Sequence, residues 1–162
     1  MDSKEVSKVQ KQAMFFEDFH VGDEASFGRY EVTEAEVLDF ARKYDPQAFH
    51  VDKEAAKKSL FGALCASGWH TCAMTMRMMV DHMEETGTAT LGSPGVDEIR
   101  WVKPVYPGDV LSVHMKVTDT RRLKSKPGIG NIKSDYTVLN QKGDVVMTFK
   151  SNGFFKTSGE GD

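Results

Sequence analysis

The chain has few cysteines, no long apolar run and little net charge, and each of these absences excludes a class of protein. Its 162 residues include two cysteines, Cys65 and Cys72, which are too few for a disulfide framework. No apolar segment is long enough to cross a bilayer. Lysine and arginine total 21 against 24 acidic residues, a formal net charge of -3, so we expect no attraction to nucleic acid.

Sequence motifs for nucleotide binding and serine hydrolysis are also missing. There is no P-loop or dinucleotide-binding fingerprint, and Ser67-Gly68 does not form a nucleophile elbow. The nearest approach to a zinc set is His50, Cys65, His70 and Cys72, whose spacing matches no standard ligand pattern. We therefore predict no metal. The first residues lack the apolar core of a secretory signal, which predicts a cytoplasmic protein without membrane association.

The length is typical of one domain, so residues 1–162 are taken as a single unit with flexible ends at about 1–13 and 157–162. Helical patterns fill the first half and strand patterns the second, which indicates an α+β fold. Residues 68–83 are apolar nearly all round, which predicts a buried central helix with a meander of antiparallel strands wrapped on it. The other predicted elements are a strand at 25–32, helices at 34–43 and 53–58, a Gly/Pro-rich loop at 86–95, and strands at 96–103, 110–122, 130–140 and 145–155.

Two short segments carry groups suited to acid–base chemistry. Asp45 and His50 lie five positions apart, in a predicted loop after the helix that Pro46 ends, and can exchange protons near neutral pH. Gly68 begins the central helix, where free N–H groups favour an oxyanion. Together these groups are suited to adding water to an activated carbonyl compound or removing it. The alternatives are an Asx turn at Asp45, a structural histidine at His50, and a simple N-cap or tight packing at Gly68.

The spacing Asp45-x4-His50, the downstream Gly68 and the segment WVKPVYPGD at residues 101–109 together resemble the MaoC-like hot-dog hydratases and dehydratases. That family includes R-specific enoyl-CoA hydratases, and the resemblance extends over residues 15–155. It implies a hot-dog fold, in which a curved antiparallel sheet wraps around a central helix. It also implies a homodimer or dimer of dimers, with an acyl tunnel near the subunit interface.

The resemblance further implies roles for individual residues. Asp45 and His50 become the catalytic dyad, with Asp45 favoured as the base and His50 as the proton donor, and the Gly68 N–H becomes the oxyanion donor. The expected substrate is a 2-enoyl or 3-hydroxyacyl thioester of coenzyme A or a carrier protein, in fatty acid metabolism, with no further cofactor. The best-studied hydratases have an asparagine two residues after the aspartate and then a proline, whereas Pro46 and Gln47 occupy this segment here. The residues expected to contact the substrate are Phe49, Ser67 and Trp69.

Two other functions remain open from the sequence. The hot-dog fold also supports acyl-CoA thioesterases, which place a carboxylate on or near the central helix, but residues 69–80 contain no acid. A non-catalytic subunit that binds acyl chains is the third possibility. A basic cluster (Arg121, Arg122, Lys124 and Lys126) is either solvated surface or a seat for coenzyme A phosphates.

Overall fold

The computed structural model describes residues 12–159 as a five-stranded sheet with one long helix and three short ones. The predicted flexible ends fall largely on residues 1–11 and 160–162, which lie outside the described residues. Within 12–159, no helix is both long and apolar enough to span a membrane. A 3-10 turn at Phe16–Asp18 comes first, and the strands and α-helices are β1 (Glu24–Glu31), α1 (Glu34–Tyr44), α2 (Ala48–Val51), α3 (Lys53–Lys57), α4 (Gly68–Thr86), β2 (Thr90–Trp101), β3 (Val110–Arg122), β4 (Ile129–Leu139) and β5 (Val145–Lys156).

The sheet is antiparallel throughout, in the order β1-β3-β4-β5-β2, and it curves around α4. The central helix packs mainly against β1 and β3. Alternate residues of β3 bury their side chains on the helix side (Leu111, Val113, Met115 and Val117), as expected for a strand with one face on the core. This arrangement confirms the predicted α+β hot-dog fold.

Two predictions about the second half of the chain are wrong. Residues 90–95 are the start of β2 rather than part of a loop, and β2 tolerates Pro94 because it lies at the edge of the sheet. The meander holds only for β3, β4 and β5. The chain crosses over after β2, which pairs with β5 at the edge opposite β1. Hydrophobic alternation could not reveal this, because it predicts strands but not which strands are neighbours.

The predicted helices exist, with ends that local capping explains. Asp52 caps α3 by accepting hydrogen bonds from the N–H groups of Glu54 and Ala55, at 2.8 and 3.1 Å. α4 runs three residues further than predicted and ends at Gly87, whose φ of 66° is the left-handed conformation that glycine adopts readily. One prediction is wrong here: α4 is not buried all round, because Trp69 and Met76 are 59% and 48% exposed.

Candidate active site

Asp45 lies immediately after α1, and both oxygens of its carboxylate are held by hydrogen bonds. The Ser67 hydroxyl donates to Oδ2 at 2.7 Å, and the Gln47 amide donates to Oδ1 at 2.8 Å. Ser67 itself is buried and immediately precedes α4. Its hydroxyl makes no capping bond to the helix, and it joins the end of α1 to the start of α4 instead.

His50 lies in α2, a single helical turn where the sequence predicts a loop. Its imidazole is buried, and Nδ1 lies 2.7 Å from the carbonyl oxygen of Cys65. A carbonyl oxygen can only accept a hydrogen bond, so Nδ1 must carry the hydrogen. In the neutral ring, the unprotonated nitrogen is therefore Nε2.

Nε2 of His50 faces Asp45 at 3.5 Å from Oδ2, and the histidine and aspartate side chains are 7% and 17% exposed. This separation is too long for a strong direct hydrogen bond. When the imidazole is neutral, Nε2 and Oδ2 are both hydrogen-bond acceptors, and one small donor molecule can bridge them. When the imidazole is protonated, the carboxylate balances its charge.

The surroundings of Asp45 favour its ionised form. Burial raises the pKa of this carboxyl group, but the hydrogen bonds from Ser67 and Gln47 and the charge of His50 together outweigh it. The net result is a pKa below the ordinary value. Asp45 is therefore a stable anion at neutral pH and a weak proton acceptor.

Replacing Ser67 by alanine should make this effect measurable. Ser67→Ala removes a hydrogen bond to a charged group, so we expect a loss of about 1.5–3 kcal/mol in the free energy of unfolding at neutral pH. A lowered carboxyl pKa stabilises the fold above the pKa of the unfolded chain, and that contribution disappears as the pH falls through the folded pKa. Denaturant titrations at several pH values should therefore show the loss shrinking in acid.

Thr75→Val is the matched control for this measurement. Thr75 is also a buried hydroxyl on α4, and it donates to the uncharged carbonyl of Thr71 at 2.8 Å. Its loss should change little between neutral and acidic pH. An equal pH dependence in the two variants would contradict the role assigned to Ser67.

Gly68 begins α4 directly after Ser67, whose hydroxyl holds the Asp45 carboxylate, and its N–H is the first free N–H of the helix. Within the described residues this N–H has no hydrogen-bond acceptor. A Cβ at this position would lie 2.4 Å from Cε2 of Trp101, so a larger residue would require the indole or the helix start to move. The indole of Trp101 therefore rests against the start of the helix.

The remaining residues expected to bind substrate occupy different places. Phe49 packs edge-on against His50, with 4.5 Å between ring centroids, and also contacts Phe61. It forms one wall of the dyad. Trp69 lies on the exposed side of α4 and packs against Trp101, with 5.3 Å between ring centroids. Ser67 faces Asp45, so its hydroxyl is already engaged.

Two cavities lie between α4 and the sheet. The proximal cavity, of about 480 Å³, follows α4 from Cys72 to Met83 on the side of β5 and β2. The distal cavity, of about 360 Å³, lies between the C-terminal half of α4 and β1, against Ala25 and Phe27. Both are lined mainly by apolar side chains, and both have volumes in the usual range for small-ligand sites.

The proximal cavity begins close to Gly68, although the dyad does not line it. Cys72 is four residues after Gly68, or about 6 Å along the helix axis. Its Sγ lies 3.6 Å from Sδ of Met147, and Met147 pairs across the sheet with Trp101. Trp101 therefore separates the start of α4 from the mouth of the cavity.

Two features singled out in the sequence lie away from this site. His70 is buried and stacks on Phe40 with 4.7 Å between ring centroids; burial lowers its pKa, and Glu36 opposes that shift. The basic cluster lies at the β3–β4 turn, where Arg122 pairs with Glu17. Hydrogen bonds link that turn to the segment after α4 indirectly, because Thr157 donates to the Gly128 carbonyl and Lys156 donates to the Ala89 carbonyl. The C-terminal end of α4 is about 28 Å from Gly68 in the same chain.

Sequence reasoning did not identify three groups that shape the site. Gln47 has no motif that predicts a bond to Asp45, and the carbonyl of Cys65 belongs to the backbone, so residue identity carries no signal for it. Trp101 lies in the segment that carries the family resemblance. Its contact with Gly68 joins positions 33 residues apart, which no local pattern encodes.

Comparisons with known proteins agree with the family resemblance and the fold. A family model described as a MaoC like domain matches residues 18–137. The crystal structure of the MaoC-like dehydratase from Rhodospirillum rubrum is 38% identical, with a TM-score of 0.81, and the match covers 91% of this chain and 100% of that one. The uncharacterized protein YdeM of Bacillus subtilis is 28% identical over 116 residues, which cover 72% of this chain and 82% of that protein. R-hydratase PhaJ1 from Pseudomonas aeruginosa, 20% identical with a TM-score of 0.65 over 90% of this chain and 88% of its own, shares the fold.

Proposed function

Because the chain belongs to the MaoC-like domain family of dehydratases, we propose that it is a hydro-lyase acting on acyl thioesters. It adds water to 2-enoyl thioesters or removes water from 3-hydroxyacyl thioesters. One observation carries the proposal: the Ser67 hydroxyl ties Asp45 to the start of α4. In this proposal the carboxylate, Nε2 of His50 and the free N–H of Gly68 act on the same substrate.

The protons move through His50. The sequence favours Asp45 as the base, but its lowered pKa makes it a poor proton acceptor, and the Cys65 carbonyl leaves the lone pair of His50 on Nε2. A water held between Asp45 and His50 attacks the β-carbon and gives its proton to Nε2. The resulting imidazolium, balanced by Asp45, then transfers that proton to the α-carbon. Dehydration is the reverse of these steps.

Charge on the thioester oxygen is stabilised by Gly68. As water adds to the double bond, the thioester becomes an enolate and its oxygen gains negative charge. The N–H of Gly68 donates to that oxygen, and the positive end of the α4 dipole adds to the effect. A single donor of this kind typically contributes about 100- to 1,000-fold in rate.

The acyl chain occupies the proximal cavity in this proposal. The cavity begins one helical turn beyond Gly68, at Cys72 and Met147, and its walls are apolar. A thioester whose oxygen lies at Gly68 can extend its chain past Trp101 into that space. The carrier portion, coenzyme A or a carrier protein, then lies on the solvent side of the dyad.

The activity is tested by incubating the protein with crotonyl-CoA and, separately, with acetyl-CoA. Loss of enoyl absorbance supports the hydro-lyase, and chromatography on a chiral phase tests whether the product has the R configuration. Release of free thiol supports the hydrolase instead. Hydrolysis is disfavoured because the first acidic residue on α4, Asp81, is about 20 Å from Gly68 and pairs with Arg77. The proposal would be contradicted if no enoyl thioester gave either loss of enoyl absorbance or release of free thiol.

We further propose that the protein is a homodimer joined at the exposed edge of the sheet. β2 is an edge strand, and Leu91, Val96 and Trp101 on it are about half exposed. Trp69 and Met76 of α4 extend the same apolar surface. A second copy of the chain would pair with the free backbone groups of β2 and cover these side chains.

Light scattering during size-exclusion chromatography should give twice the mass of one 18.1 kDa chain. Val96→Lys places a charge in the proposed interface and should shift the protein toward monomer. Leu60→Lys is the matched control, because Leu60 is 96% exposed and lies outside this surface. Dissociation by Leu60→Lys but not by Val96→Lys would place the interface elsewhere.

A further inference from the structure

The two cavities beneath α4 share one thin wall. Met79 and Met83 of the helix line both, as do Ile132, Ser134, Tyr136 and Phe155 of the sheet. Each of these side chains therefore faces the proximal cavity on one side and the distal cavity on the other. Because the same side chains line both spaces, only their rotamers need to change for the cavities to join.

The helix side of this wall can open at low cost. Met79 and Met83 are unbranched, with three rotatable bonds each, so they move aside more easily than branched or aromatic residues. Taken over its whole length, α4 makes its close backbone contacts with β1 and β3 rather than with β5 or β2. The space toward β5 and β2 is the proximal cavity itself, which gives the methionines room to move.

The distal cavity is suited to the end of an apolar chain. Its interior is formed by Ala25, Phe27 and Met115, and its solvent end carries Asp23 and Glu24. No lysine or arginine is among the described residues that line it, and the ring of His82 stacks face to face on Phe27 with 4.0 Å between ring centroids. A terminal carboxylate near the mouth would therefore meet the like charges of Asp23 and Glu24. An unsubstituted hydrocarbon chain fits this distribution of apolar and acidic groups.

We propose that the two cavities form one channel, and that the substrates are 2-enoyl thioesters with long, unbranched and apolar acyl chains. This inference rests on the proposed function. The chain enters at Cys72, passes between Met79 and Met83 and the sheet, and ends in the distal cavity against Ala25 and Phe27. The helix segment from Cys72 to Met83 is about 16 Å long, and the chain must cover that distance before it enters the distal cavity.

The test is a comparison of kcat/KM for crotonyl-, octenoyl-, dodecenoyl- and hexadecenoyl-CoA. We expect dodecenoyl- and hexadecenoyl-CoA to be turned over at least as efficiently as octenoyl-CoA. Ala25→Phe fills the distal cavity from β1, so the ratio of kcat/KM for hexadecenoyl-CoA to that for crotonyl-CoA should fall at least about tenfold. Should Ala25→Phe fail to fold, Met115→Trp fills the same space from β3.

Ser26→Phe is the matched control, because Ser26 is the next residue on β1 and faces solvent on the opposite side of the strand. It should leave the chain-length profile unchanged. Efficient turnover that peaks at octenoyl-CoA, or an equal effect of Ala25→Phe on all four thioesters, would overturn the channel while leaving the hydro-lyase intact. Absence of turnover with every thioester would overturn the hydro-lyase and the channel together.

Discussion

Replacing either Asp45 or His50 by asparagine should lower kcat/KM for enoyl thioester hydration by about 100- to 10,000-fold, the usual contribution of acid–base assistance. Asp45→Asn keeps the shape of the side chain but removes the charge that holds the water and balances the imidazolium. His50→Asn removes the nitrogen that accepts the proton. Both losses should appear mainly in kcat, because the groups act on the water and on the reacting carbons.

Asparagine is a better replacement for His50 than alanine. The imidazole is buried and donates from Nδ1 to the Cys65 carbonyl, so alanine would leave a hole and an unpaired acceptor. The amide of asparagine can take the place of Nδ1–H while offering nothing at the position of Nε2. A His50→Asn protein with a nearly unchanged melting temperature and no activity would separate chemistry from folding.

The assignment of His50 as the proton carrier makes a further distinction between the two variants. Free imidazole added to the assay should partly restore the activity of His50→Asn, because it supplies the missing proton acceptor. It should not restore Asp45→Asn, in which the imidazole of His50 is already present. Full activity in either purified variant would refute the dyad.

The parts of the candidate site that the sequence could predict are close together in the chain or lie at helix boundaries. Asp45 follows α1 and His50 follows five residues later, so their separation is limited by a short segment. Gly68 begins a helix whose apolar pattern is long and clear. The family resemblance then links the two segments, although sequence reasoning alone leaves a structural histidine and an Asx turn as alternatives.

The parts that the sequence could not predict depend on contacts between distant segments. Ser67 and Asp45 are 22 positions apart, and their hydrogen bond helps to lower the pKa of the carboxyl group. Glycine and Pro94 in the first half of β2 are typical of a loop, yet pairing with β5 makes this segment a strand. The cavities are gaps between packed surfaces, and no local pattern encodes a gap.

The second large expected effect is that of Gly68→Ala on kcat, and it tests why position 68 is a glycine. Gly68→Ala should lower kcat by about 100-fold, because Cβ would lie 2.4 Å from the indole of Trp101, and displacement of the helix start by about 1 Å costs about that much. The N–H itself is retained, so the loss measures its position. The measurement compares kcat on enoyl thioesters for Gly68→Ala and the unmodified protein, and circular dichroism checks that the variant is folded.

A double variant separates two explanations of that loss. If the indole of Trp101 is the obstacle, Gly68→Ala with Trp101→Ala removes the clash and should recover most of the activity of Trp101→Ala alone. If the thioester itself must approach the backbone where Cβ would stand, the double variant stays as inactive as Gly68→Ala. Recovery would assign the glycine to packing against Trp101, with the oxyanion donor positioned through that contact. Full activity of Gly68→Ala alone would remove the helix start from the mechanism, since a donor that tolerates displacement stabilises no developing charge.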